Sequence, residues 1–184
     1  MIEFFEDTHT YLVDGYKVPC VSDILHFIFP NKYKGVDKKI LSNKAQYGSI
    51  VHKAIECLEQ NLEIPKLNIY QELSLEQYKK LKKKYNIQVL SQEKQVEYRS
   101  LYAGTYDMIA KVNNISSLID IKTTAQLDIE YLSWQLSYYE LAIGKRFKKL
   151  YCLWLPKKGL GELIEIKRKS KKELLKKLEE YYNE

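Results

Sequence analysis

The stretch "YDMIAKVNNISSLIDIK", Tyr106 to Lys122, decides how this chain is read. On either side of Asn113-Asn114 the residues alternate with the period of two that sends successive strand side chains to opposite faces. Two asparagines between such runs signal a tight hairpin, because Asn tolerates the left-handed backbone of a primed turn. Val112 then pairs with Ile115, and counting back along both strands sets Asp107 opposite Asp120, their Cβ atoms roughly 4.5–5.5 Å apart. A four-residue loop shifts the pairing by two and keeps both acids on that face; a three-residue loop without a bulge separates them. Lys122, two residues beyond Asp120, shares the face, while Ile119 and Ile121 take the other. The plain alternative is a surface ion pair on a half-buried strand.

Working outward, "IQVLSQEKQVEYRSLY" supplies further strand upstream, and "KKLYCLWLP" and "GELIEIK" form strands downstream. Asp128 caps a helix ending at Gly144, and Ser170 with Glu173 forms a capping box for a last helix carrying Leu174, Leu175, Leu178 and Tyr181. Before the hairpin, Ser74 with Gln77 opens "SLEQYKKLKKKY" as a helix. Val51, Ala54, Ile55 and Leu58 give one helical face between Tyr47 and Gln60, with His52 beside it. Asn31 to Lys44 is polar and reads as a loop, and a short helix runs from about Ser22 to Pro30. At the N-terminus, "FFEDTHTYLVDGYKVPCV" reads as a β-hairpin turning at Asp14-Gly15. The expectation is one α/β (α+β) domain over residues 1–184, a mixed central β-sheet flanked by helices with an N-terminal β-hairpin.

Composition narrows the function. The 184 residues suffice for a core burying roughly 70% of the extended-chain surface, and no apolar run reaches the ~18 residues of a membrane span. A charged-then-apolar leader is absent, so a cytoplasmic setting without a membrane is expected. Cys20, Cys57 and Cys152 are scattered and odd in number, which argues against disulfides, a zinc ribbon or an iron-sulfur cluster. The net charge of +6 permits a polyanionic partner. Lysines concentrate in two blocks, Lys79 to Lys84 and Lys167 to Lys172, each also readable as the wet face of a helix.

Two facing carboxylates beside a lysine suit metal-assisted hydrolysis of a phosphodiester. The carboxylates hold a hard cation that polarises the phosphoryl oxygen and acidifies a water, and the ammonium stabilises developing charge. Gly104 leaves room for a close approach by a ligand, or is simply a bulge glycine. No phosphate-binding loop of the G-x-x-x-x-G-K-[ST] type is present, so any helicase motor belongs to another protein.

"GSIVH" with His52, "GTYD" with Asp107, "DIK" with Asp120 and Lys122, and "QLSYY" with Gln135 and Tyr139 occur in an order that resembles the PD-(D/E)xK nuclease superfamily. Within it they resemble the RecB-like branch that includes small stand-alone phage-type exonucleases. The opening "THTYLVDGYKVPCVSDIL" is similar to the N-terminal hairpin of small phage members, though Asp23 stands where many have Ser or Thr. The resemblance implies a restriction-endonuclease-like core and Mg²⁺ or Mn²⁺ held by His52, Asp107, Asp120 and the carbonyl of Ile121. It implies Lys122 acting on the attacking water, and Gln135 with Tyr139 positioning the lysine and the DNA strand. Glu56 and Glu93 are candidates for an outer ring. The implied activity is a divalent-metal-dependent deoxyribonuclease, an exonuclease acting in DNA processing or recombination with little sequence preference, alongside a separate helicase or recombinase. The alternatives are an inactive nuclease-fold module that binds nucleic acid or protein, for example an inhibitor of host defence, and a restriction-type endonuclease.

Overall fold

The computed structural model describes residues 1–184. β1 (Ile2–Phe5), β2 (Thr10–Val13) and β3 (Tyr16–Val18) form an antiparallel three-stranded sheet, one strand more than the expected hairpin. The β2–β3 turn is Asp14-Gly15, both left-handed (φ 51° and 81°), as a primed two-residue turn requires. There follow α1 (Val21–Ile28), α2 (Lys38–Glu59), α3 (Ile69–Lys84), β4 (Ile87–Tyr98), β5 (Tyr102–Val112), β6 (Ile115–Lys122), α4 (Ile129–Ile143), β7 (Lys149–Trp154), β8 (Glu162–Glu165) and α5 (Lys171–Tyr182).

The central sheet has the order β4-β5-β6-β7-β8 and is mixed: β6 and β7 run parallel, joined through α4, and every other neighbour is antiparallel. The fold is therefore the expected mixed sheet flanked by helices. Its hairpin register is the one read from Asn113-Asn114: both asparagines are left-handed (φ 47° and 67°), Val112 faces Ile115, and the ladder runs to Met108 opposite Ile119.

Helices cover both faces of this sheet. Leu118, Leu150 and Cys152 pack with α1, α4 and α5, whereas Met108, Ala110, Ile119, Ile121 and Leu153 pack with α2 and α3. A central strand beside a parallel partner is buried on both sides. For that reason Asp120 is not half of a surface ion pair: only 2% of it is exposed.

Two helix starts differ from the sequence reading. α2 begins inside the expected loop, at Lys38, because the Asp37 carboxylate accepts the N–H groups of Lys39 (2.7 Å) and Ile40 (3.2 Å). Its first turns are exposed, so they carry no apolar period. α3 begins not at Ser74 but at Ile69, where Asn68 accepts from Tyr70 and Gln71 and the Gln71 side chain returns to the Asn68 N–H. Ser74 is buried within the helix, its hydroxyl 2.9 Å from that of Tyr47. Asp23 also has a structural task, accepting the Cys20 N–H at 2.8 Å at the start of α1. No helix is long and apolar enough to cross a membrane.

Candidate active site

Beyond Met108–Ile119 the β5–β6 ladder changes character. The next residue, Asp107, uses its side chain, and Oδ2 accepts the N–H of Ile121 at 2.6 Å. The carbonyl of the same Ile121 lies 3.1 Å from Nε2 of His52. Both backbone polar groups of one residue are thus engaged, the N–H by an acid on β5 and the carbonyl by an imidazole on α2. The buried stripe of Val51, Ala54 and Ile55 fixes α2 against the sheet and sets His52 at its edge. With Nε2–H donating to that carbonyl, Nδ1 faces Asp107 Oδ1 (3.8 Å) and Glu93 Oε1 (3.5 Å).

Glu93 reaches this point through an irregular strand. β4 shifts register between Val89 and Ser91, and Glu93 itself has φ 46°. A left-handed glutamate inside a strand is uncommon and strained, and such strain collects at functional sites. Donor atoms of His52, Glu93 and Asp107 all lie within 4.8 Å of one another.

Asp120 stands beside this group rather than within it. Its carboxylate holds the Lys122 ammonium at 2.9 Å (Oδ1) and 2.7 Å (Oδ2), and Oδ2 has no aligned hydrogen-bond donor. Burial raises the Asp120 carboxyl to about 6, against the pull of Lys122 and with the help of Asp107. Burial also raises Asp107, opposed by His52 and Lys122. For His52 burial acts downward, but Asp107 and Glu93 outweigh it and raise the imidazole to about 9. Lys122 is likewise pulled down by burial and pushed further up by Asp120 and Asp107, so its charge is locked on.

Two clefts flank these residues. One, about 860 Å³, lies between the N-terminal sheet and α2 and is lined by Tyr11, His52, Glu93, Gly104, Thr105 and Tyr139 among others. The second, about 790 Å³, includes Lys122 together with Lys32, Tyr33, Lys44 and Tyr131. Gly104 opens space for a side chain rather than a ligand: a Cβ there would lie 2.8 Å from Cε1 of Tyr139. Tyr139 is buried, which holds its phenol well above 10, with Asp107 and Asp120 acting in the same sense. One turn earlier on α4, the Gln135 side-chain oxygen is buried without a hydrogen-bond partner.

The structure therefore gathers His52, Asp107 and the Ile121 backbone at one point, with the Asp120–Lys122 pair beside them and Tyr139 on the cleft wall. The Ile121 carbonyl is engaged by His52. Glu56 stays on the cleft rim, paired with Lys53 at 2.8 Å. Glu93 is more central than its sequence suggests, because neither the bulge nor the left-handed turn that aims it leaves a mark in the alternation of β4.

No protein-family model matches the chain, and no curated protein matches it. Solved structures do. The crystal structure of SSO0001 superimposes with a TM-score of 0.51 at 15% identity, covering 90% of this chain and 75% of that one. At that identity the likeness concerns the fold alone.

Proposed function

We propose that this chain is a divalent-metal-dependent deoxyribonuclease of the PD-(D/E)xK type, with His52, Glu93 and Asp107 as the metal-holding group and Lys122 as the charge stabiliser. The observation that carries this reading is the convergence of those three donors within 4.8 Å beside the Asp120–Lys122 pair, whose carboxylate is buried and whose ammonium borders a cleft. One imidazole nitrogen and two carboxylate oxygens suit a cation such as Mn²⁺ or Mg²⁺, and the unaligned Oδ2 of Asp120 is a further oxygen close by. A cation held there supplies Lewis-acid polarisation of a phosphodiester and lowers the pKa of a water.

The protein's own part follows from its charges. Lys122 keeps its proton at neutral pH, so it cannot be the general base; it orients the nucleophile and stabilises negative charge developing on the phosphate. Asp120 keeps that ammonium in place. His52 must give up its proton before Nδ1 can serve as a ligand, and the Ile121 carbonyl keeps the ring turned the right way. Tyr139, also protonated, offers an O–H from the cleft wall.

Incubation of end-labelled and circular DNA with the purified chain tests the reading. Cleavage with Mg²⁺ or Mn²⁺ and none with EDTA is expected. Intact DNA under every metal condition would favour a nuclease-fold binding module, and discrete sequence-dependent fragments a restriction-type enzyme.

A further inference from the structure

The two lysine blocks of the sequence have different fates in the fold. On α3, Lys79 is paired with Glu76 and Lys82 with Glu59, and Lys84 lies over the ring of Tyr85. Lys80 and Lys83 of that block are exposed without a carboxylate partner, but all five of its lysines stand on the single helix α3. The second block joins other cations. Lys169 and Lys171, before and at the start of α5, line a cleft of about 560 Å³ with Arg168, with Arg99 from the β4–β5 turn, and with Lys145 and Arg146 from the α4–β7 loop. These six cations from three separate segments share the cleft with one lining carboxylate, Glu140. Glu140 is already taken by Arg168 at 3.0 Å, and Lys169 is held by Glu130. Arg99, Lys145, Arg146 and Lys171 are exposed and have no carboxylate partner.

α4 separates this cleft from the metal-holding group. At about 100° per residue, Gln135 and Tyr139 share one side of α4, whereas Ser137, Glu140, Leu141 and Gly144, which line the basic cleft, lie on the opposite side. We infer that the cleft is a second, non-catalytic anchoring surface for the phosphate backbone of a nucleic acid strand. Four exposed cations spread over three segments match a row of phosphates better than one compact anion, since no buried polar side chain is free to grip a single group. A lipid surface is disfavoured because the apolar lining residues, Tyr98, Leu141 and Leu174, are buried or half-buried and present nothing to insert. The inference shares its substrate class with the nuclease reading but needs no catalysis.

Binding to a fluorescent ~30-nucleotide DNA in EDTA, followed by anisotropy at several salt concentrations, separates the two claims. The triple variant Lys145→Glu, Arg146→Glu, Lys171→Glu is expected to bind at least ~10-fold more weakly, with a salt dependence shallower by about 2 to 3 log units per log unit. The glutamine triple at the same positions should shift the same way by less. Lys79→Glu, Lys80→Glu, Lys83→Glu, with the same change in net charge, should bind almost as wild type. Equal losses in the two glutamate triples, no loss in either, or wild-type binding to phosphatidylserine vesicles but not to DNA would each overturn the inference. If the chain cuts DNA with metal and the two triples bind alike, this inference falls and the nuclease reading stands. If it never cuts but only the cleft triple loses binding, the reverse holds.

Discussion

The carboxylate of Asp107 takes the N–H of Ile121 at 2.6 Å, so an acid side chain replaces the ladder carbonyl that a regular strand would offer. That substitution ends the regular β5–β6 pairing, and it ties the proposed metal-holding group to the strand that carries Asp120 and Lys122.

Lys122→Ala should lower cleavage by at least on the order of 10²-fold, the scale of losing one preorganised electrostatic contact. DNA affinity should change little, since the lysine acts on the transition state more than on docking. The variant should also melt lower, because it leaves Asp120 buried without its counter-charge. Adding Asp120→Asn should recover part of the melting temperature and none of the activity. Recovery of cleavage in the double variant would remove Lys122 from the chemistry.

Glu93 gives an unusual backbone test. In most strand positions glycine is less stable than alanine by roughly 0.5–1 kcal/mol. At φ 46° the order should invert, because a left-handed non-glycine residue costs about 1–2 kcal/mol. Urea unfolding of Glu93→Gly and Glu93→Ala in EDTA checks this, and an alanine variant as stable as the glycine one would mean that the strand can relax.

At Gly104 the expected effect is steric. Gly104→Ala places a methyl 2.8 Å from the Tyr139 ring and 3.1 Å from Val21, and overpacking of this kind costs about 1–3 kcal/mol. Combining it with Tyr139→Leu should cost less than the sum of the single changes. Strict additivity of the unfolding free energies would show that the tyrosine is not what the glycine accommodates.

Stability in EDTA should depend on pH through His52. Its folded-state pKa is raised from 6.5 to about 9, so its contribution is complete below about pH 6.5 and is lost as pH rises towards 9. His52→Asn should flatten the melting temperature across that window. Mn²⁺ binding near pH 7.5 should release a proton, visible as a buffer-dependent heat in calorimetry. No dependence on the buffer would take the imidazole out of the donor set.

The hairpin register was legible because two adjacent asparagines fix a turn and a turn fixes every pair behind it. That alone places Asp107, Asp120 and Lys122 together. The depth of Asp120 was not legible, since an aspartate at a strand's polar position looks the same whether water or α4 covers it. Glu93 escaped for a different reason: a strand with a bulge and a left-handed residue no longer obeys the alternation by which its side chains are read. Likewise, the start of α2 depends on a cap at Asp37 and exposed first turns, neither of which produces a hydrophobic period.

The most direct test of the proposed metal-holding group is the response of the melting temperature to Mn²⁺. At a free concentration about 100 times the dissociation constant, binding to the folded state contributes roughly 2.7 kcal/mol. At ~2 to 4 °C per kcal/mol for a domain of this size, wild type should gain about 5 to 11 °C. Asp107→Asn keeps an oxygen for the Ile121 N–H but loses the charge, and Glu93→Gln does the same for its side chain, so each should gain little at the same Mn²⁺ concentration. Glu56→Gln, on the cleft rim, should respond as wild type. Equal gains in wild type, Asp107→Asn and Glu93→Gln would contradict the assignment of these carboxylates to the metal.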